Sequence, residues 1–312
     1  MGAQLSKAAA ALGLLALAAV GATAAAQQQP VFRATVDRVR LDALVTAGSG
    51  PLPGLSAADF EVLDNGVPQK VEVSATAGDV TVALVLDTSG SVEGPRLEQL
   101  IAASEAVLRL LGPGDTASLI TFSDRMALIA DAARSPAAVR AALAGARAAG
   151  RTAMWDALFA GLALAARDSG RSLVILFTDG VDNASWLTEA RVTGAVKRAE
   201  SVVYAVCPIV DVAEDTWDGR AMRATLTARQ NLLRRIAGQT GGRLLDTEWS
   251  AALTGQFAAI MTEFRSRYLL HYEPAGVGRH DGWHRVDVRV KGRSAKVQVR
   301  PGYYASGPGQ GG

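Results

Sequence analysis

Two stretches of this chain leave little choice of fold. Val80-Thr-Val-Ala-Leu-Val-Leu86 and Leu173-Val-Ile-Leu-Phe177 are near-continuous apolar runs of strand length. A strand that is apolar on both faces has to be covered on both faces, as in a parallel sheet sandwiched between helices. Asp87 follows the first run directly, and Thr178-Asp179-Gly180 follows the second. The carboxyl ends of such strands form the edge of an open sheet at which ligands bind.

The surrounding segments alternate as that sheet requires. Helical spacing runs from Pro95 to Leu111, from Ser135-Pro136 to about Ala146, from Thr152 to Ala166, from Thr188 to Ala199, through Asn231–Gln239 and from Ser250 to Phe264. Further strands are expected at Thr116–Phe122, Ser201–Val206 and Arg243–Asp246. The expectation is an α/β domain over residues 80–265, with a doubly wound, mostly parallel sheet. Residues 208–228 interrupt the rhythm and read as a solvated insertion, or alternatively as a specificity loop beside the site.

The two ends differ from the middle. Residues 31–46 alternate, and two short strands, 59–63 and 67–73, flank the hairpin signal Asp64-Asn65-Gly66. Alternation returns at 268–272, 283–290 and 295–299. Neither end has enough strands to cover a face by itself. The expected solution is a small β-sandwich made jointly by residues 27–79 and 266–305, with the α/β domain inserted between them. Residues 306–312 read as a disordered tail.

Asp87-Thr-Ser-Gly-Ser91 sets one carboxylate and two hydroxyls at alternate positions where the first apolar strand ends. Small oxygen donors suit a hard divalent cation such as magnesium. Asp and Ser also gather in turns and helix caps, because they hydrogen-bond nearby backbone. Thr152 has the same two readings, ligand or N-cap, and Asp179 reads as a ligand or as part of an Asp-Gly turn.

Taken together the three segments resemble the von Willebrand factor A-type (VWA) domain and its metal-ion-dependent adhesion site. That pattern is D-x-S-x-S, then a distant Thr, then a distant Asp after an apolar strand. Asp87, Ser89, Ser91, Thr152 and Asp179 match all five positions. The resemblance implies a VWA/Rossmann-like fold and roles for each residue. Ser89 and Ser91 would ligate through their hydroxyls, and Thr152 directly or through water. Asp87 and Asp179 would hold coordinated waters or ligate directly. One position would stay open for a carboxylate from a protein partner, and uncharged hydroxyls would leave the ion positive enough to attract it. The ion would be Mg2+, with Mn2+ or Ca2+ as substitutes. Arg151 stands where the family often has a second glycine.

The flanks add a second resemblance. Val39-Arg-Leu-Asp-Ala-Leu-Val45, the segment from Leu55 to Gly66, Tyr268-Leu-Leu-His-Tyr272, the segment from Trp283 to Lys291 and Arg300-Pro-Gly-Tyr-Tyr304 are similar to a bacterial group of exported A-domain proteins abundant in acidobacteria. This implies fold and export, and names no partner. Export is also the reading of residues 1–26, with an uncleaved membrane anchor as the alternative: Lys7, an apolar stretch from Ala8 to Val20, and Ala24-Ala25-Ala26 before Gln27. The protein is then expected in the periplasm or outside the cell, with no membrane span in the mature chain.

The rest of the composition narrows the function. The net charge of +2 and the lack of a basic run give no nucleic-acid signature. Cys207 stands alone, so no internal disulfide forms, and it reads as a buried apolar residue. His280 and His284 are four apart, but in an extended segment that spacing spans about 13 Å, too far to share an ion unless a tight turn at Asp281-Gly282 brings them together. No nucleophile-elbow or phosphate-loop pattern is present, and no enzyme is expected. The expected function is metal-dependent binding of an acidic side chain. The alternatives are a purely structural ion, with recognition through the sandwich, and a metallohydrolase.

Overall fold

The computed structural model describes residues 38–48, 50–74, 78–133, 136–167, 170–179, 182–208, 217–248, 250, 252–278 and 282–305. The expected export signal and the C-terminal tail lie outside these residues.

The chain enters through β1 (Val39–Ala47), β2 (Gly50–Pro51), β3 (Phe60–Asp64), β4 (Val67–Gln69) and β5 (Val71–Val73). Asn65 and Gly66 both take positive φ, 47° and 85°, and set Asp64 opposite Val67. This is the two-residue turn that Asn-Gly favours, because its twist matches that of the strands. The single strand expected over 67–73 is two strands. β4 pairs with β3 in one sheet, while β5 joins a different sheet. Pro68 is tolerated because β4 is an edge.

The α/β region follows: β6 (Val80–Asp87), α1 (Pro95–Arg109), β7 (Thr116–Phe122), β8 (Met126–Ala133), α2 (Pro136–Ala144), α3 (Met154–Ala165), β9 (Arg171–Phe177), α4 (Glu189–Arg198), β10 (Val202–Pro208), α5 (Trp217–Gln239), β11 (Leu244–Thr247) and α6 (Ala252–Arg265). The strand order is β11-β10-β9-β6-β7-β8, parallel except for β8. Val82, Leu84 and Leu86 pack in one apolar layer with residues of α1, α2 and α6. Ala83 and Val85 point the other way, into a layer with α3, α4 and α5. Burial on both faces explains why β6 is apolar throughout. After β6 the chain moves out through β7 and β8, then returns to the other side of β6 as β9. The order therefore reverses between β6 and β9, the switch point at which ligands bind in such sheets.

Two expectations change here. β8 was not foreseen in the sequence. It is an edge strand whose residues 126–129 are exposed on both faces, so it carries no alternation to read. Residues 217–228 are not loop but the first half of α5. Residues 209–216 lie outside the described part.

The chain ends with β12 (Tyr268–Tyr272), β13 (Gly282–Val290), β14 (Lys296–Gln298) and β15 (Gly302–Ala305). Two antiparallel sheets result, β14-β1-β12-β5 and β15-β13-β3-β4, with β2 added on β1. Both sheets mix strands from the two ends of the chain, and their inner faces share one core that includes Leu41, Phe60, Leu270 and Val288. This is the expected sandwich with the α/β region inserted. Its core holds a polar knot around Asp64, which accepts hydrogen bonds from Tyr272 (3.0 Å) and Tyr303 (2.7 Å) and faces His284 Nδ1 at 3.0 Å. His284 is thus committed to the sandwich core, and His280 lies outside the described residues.

A buried ionic seam fixes the sandwich to the amino ends of the sheet strands. Arg171, which opens β9 and is 2% exposed, pairs with Asp42 of β1 at 2.7 Å and reaches the Phe264 carbonyl at 2.9 Å. Arg267 donates to the carbonyls of Asp42 (3.0 Å) and Gly241 (2.7 Å) and to the Tyr204 hydroxyl (2.9 Å). Burying such charges is tolerable only when each donor finds an acceptor, as here.

Candidate metal centre at the carboxyl edge of the sheet

The five candidate ligands fall on three segments at the carboxyl ends of β6 and β9 and the start of α3. β6 and β9 are adjacent, with Leu86 opposite Phe177, so Asp87 and Asp179 leave the sheet side by side. Asp87 is fully buried. Its Oδ1 accepts the Ser89 amide at 2.9 Å, and its Oδ2 accepts the Thr178 hydroxyl at 2.9 Å. The first of these turns the chain sharply, so that Ser89 and Ser91 stand together with Oγ atoms 3.1 Å apart. A single 3-10 turn, Gly90–Val92, holds this arrangement.

The capping alternatives do not describe these residues. α1 begins at Pro95 behind Gly94, and no side chain caps it. α3 begins at Met154 behind Ala153, again with no side-chain cap. Thr152 therefore lies one residue outside the cap position. Its amide donates to Asn183 Oδ1 at 2.9 Å, and its carbonyl accepts the amides of Asn183 (3.0 Å) and Ala184 (3.1 Å). The Thr152 loop is tied to the serine turn by Gly90 N–H to the Gly150 carbonyl (3.0 Å) and Ala149 N–H to the Thr88 carbonyl (2.9 Å).

Gly150 is required here. Its φ is +82°, and a Cβ would land 2.2 Å from the Asp124 carboxylate. Arg151 needs no such freedom. Asp124 Oδ1 accepts both its amide and its Nε at 3.0 Å, and these bonds hold the loop where a second glycine is often found.

The electrostatics favour a cation. Burial pushes the Asp87 carboxyl from an ordinary 3.8 up to about 6, and neighbouring Asp179 raises it further, against the opposing hydrogen bonds from Ser89 and Thr178. Among the described residues no guanidinium or ammonium group pairs with Asp87. The donors are three hydroxyls and two carboxylates, an all-oxygen set that suits magnesium or manganese. Cys207, at the end of β10 behind Asp179, adds no sulfur ligand. Burial first, then Asp179 and Asp246, push its thiol up to about 12, so it stays protonated and inert, as its sequence context suggested.

Other parts of this edge were not legible in advance. The segment after Asp179 wraps the first turn of α3. The Ser185 hydroxyl accepts the amides of Trp155 (3.0 Å) and Asp156 (3.2 Å), and Asp156 in turn accepts the amides of Trp186 and Leu187, both at 2.9 Å. The sequence signal was only a run of turn formers, Asp182-Asn-Ala-Ser185. On the other side, Arg223, Leu226, Thr227 and Gln230 of α5 line a cleft of about 60 Å³ with Asp179 and Cys207. The segment read mainly as a solvated insertion thus supplies helix residues to the site edge.

Residues 82–181, which contain all five candidate ligands, match the family model for the von Willebrand factor type A domain. The chain contains a von Willebrand factor A-type domain. Among solved structures it is similar to a von Willebrand factor type A protein from Catenulispora acidiphila, with 13% identity and a TM-score of 0.51 over 88% of this chain and 75% of that one. A likeness of this kind speaks to the fold of the A domain and its flanks. Weaker likenesses are to proximal thread matrix protein 1 from the mussel byssus with a zinc-occupied MIDAS motif (17% identity, TM-score 0.49, 64% of this chain and 49% of that one) and to the vWF domain of the type V pili tip protein Mfa5 from Porphyromonas gingivalis (19%, 0.33, 35% and 40%). The chain thus spans less than half of either of those two proteins. No curated protein matches it. Among the described residues no helix is long and apolar enough to cross a membrane.

Proposed function

We propose that this A domain is a metal-dependent binding module for an acidic side chain of a protein partner. Ser89, Ser91 and Thr152 would hold a divalent ion, Mg2+ in the first instance, through their hydroxyls, with Asp87 and Asp179 as ligands or as acceptors for its waters. The ion supplies a positive centre with one position open to an incoming carboxylate. The observation that carries this reading is the fully buried, uncompensated Asp87 beside a preset pair of serine hydroxyls. Residues 1–26 would direct export to the periplasm or beyond, as in the acidobacterial group that the flanks resemble, and mass measurement of the secreted protein would show cleavage after Ala26.

The test uses Mn2+ as the probe ion and 13C-labelled acetate as the simplest carboxylate. Wild-type protein should bring acetate into the Mn2+ coordination sphere and shorten its carboxyl relaxation time. Ser89→Ala/Ser91→Ala protein should not. Bound Mn2+ with no effect on acetate would instead favour an ion that only stabilises the domain, with recognition elsewhere.

A further inference from the structure

Trp186 is 94% exposed, the most exposed large apolar side chain among the described residues. A Trp ring offers 150–250 Å² of surface that is normally buried. Loop tips carry such rings into water when a partner covers them, and Trp is enriched among residues that dominate binding energy. This loop tip is also held in place. The Asp156 carboxylate fixes the backbone amides of Trp186 and Leu187, the Ser185 hydroxyl pins the loop to the first turn of α3, and Leu187 packs into the core beneath. Contact with a ring on a held backbone costs little ordering entropy.

The Trp186 backbone stands close to the Thr152 loop. Ala184 donates to the Thr152 carbonyl, and Trp186 is two residues further on, at most about 7 Å of chain. Phe159, 45% exposed, lies three residues beyond Asp156 and so on the same face of α3. Arg96 donates to the Ser91 carbonyl at 2.8 Å.

We infer that Trp186 is a second anchor point of the metal-centred surface, and that it selects partners whose Asp or Glu is flanked within one to three residues by an aromatic or large aliphatic side chain. This rests on the proposed metal-dependent capture and adds the partner's local chemistry to it. The carboxylate reaches the ion while the neighbouring apolar side chain lies on the indole, with Phe159 extending the same apolar strip.

The experiment is a displayed library of random twelve-residue peptides with one fixed central Asp, selected on Mg2+-loaded wild-type protein and eluted with chelator. The selected peptides should carry an aromatic or large aliphatic residue within three positions of the Asp. They should bind Trp186→Ala protein roughly thirtyfold more weakly, the scale of a lost anchor residue, with most of the affinity restored by Trp186→Phe. Mg2+ affinity and Mn2+-acetate relaxation should be the same in all three proteins. Peptides that elute with chelator yet bind Trp186→Ala as tightly as wild type would overturn the inference and leave the metal reading standing. Peptides that bind through Trp186 with no metal dependence would overturn both.

Discussion

The two ends of the six-stranded sheet handle carboxylates in opposite ways. At the amino end the described buried and half-buried acids each have a cation against them: Asp42 has Arg171, half-buried Glu263 has Arg243, and Asp115 has Arg265. At the carboxyl end Asp87 is fully buried beside Asp179, and only hydroxyl and amide donors face it. The first arrangement is complete and makes a joint to the sandwich. In the second no described cation pairs with Asp87, and a divalent ion would supply the missing charge. On the proposed function, that difference is what separates a joint from a receptor.

The largest expected effect comes from breaking the joint. Asp42→Ala leaves Arg171 buried without its carboxylate and should cost about 3–5 kcal/mol in urea unfolding. Replacing both partners by apolar residues, Asp42→Leu with Arg171→Met, should recover most of that loss. If the single and double variants are equally unstable, the seam works by something other than charge pairing.

The receptor end should show the reverse pH behaviour. Asp87 has a folded value of about 6 against 3.8 unfolded, so its contribution favours the folded state fully below about pH 4. That contribution is lost as pH rises through about 6. In metal-free protein the loss should amount to about 3 kcal/mol, and Asp87→Asn should remove it. Mg2+ should stabilise wild type more strongly as pH rises over the same window, since proton and ion compete for Asp87. Glu263 should slope the other way. Burial alone would raise its carboxyl, but hydrogen bonds from Arg243 and Tyr204 outweigh that and hold it below an ordinary 4.5. Its contribution is present above that value and lost as pH falls below it. Acid unfolding of Glu263→Gln should therefore be less steep than that of wild type, and an unchanged curve would remove Glu263 from the joint.

A smaller effect is expected at the loop that presents Thr152. Gly150→Ala imposes a side chain at φ +82° against the Asp124 carboxylate and should cost about 1–3 kcal/mol. Its metal affinity should fall with it, because the strain displaces the neighbouring ligand. Arg151→Ala removes an exposed ion pair and an exposed hydrogen bond to the Asn183 carbonyl, and should cost under about 1 kcal/mol. Equal effects from the two variants would mean that the loop is held by the ion pair and not by the glycine.

The contrast between the ends also explains what could be read from the chain. Val80–Leu86 declares itself because burial on both faces leaves an unbroken apolar run, and the candidate ligands declare themselves because Asp87 and Asp179 follow such runs and the hydroxyls Ser89, Ser91 and Thr152 stand in a fixed order around them. The joint does not, since Asp42 and Arg171 are 129 residues apart and each is an ordinary charged residue in its own strand. β8 was hidden because its residues 126–129 are exposed on both faces, and the start of α5 because Asp215-Thr-Trp-Asp-Gly219 looks like a loop. Asn183, Asp124 and Asp156 position the site through backbone amides, a role that no local pattern announces.

The most direct test is calorimetric titration of Mg2+ and Mn2+ into metal-free wild type and Ser89→Ala/Ser91→Ala protein at pH 8, with melting curves alongside. One ion should bind per wild-type chain and stabilise it by about 2.7 kcal/mol at a hundred times its Kd, with neither response in a variant that remains folded. Equal ion binding by the two proteins, or none by wild type, would contradict the proposed metal site.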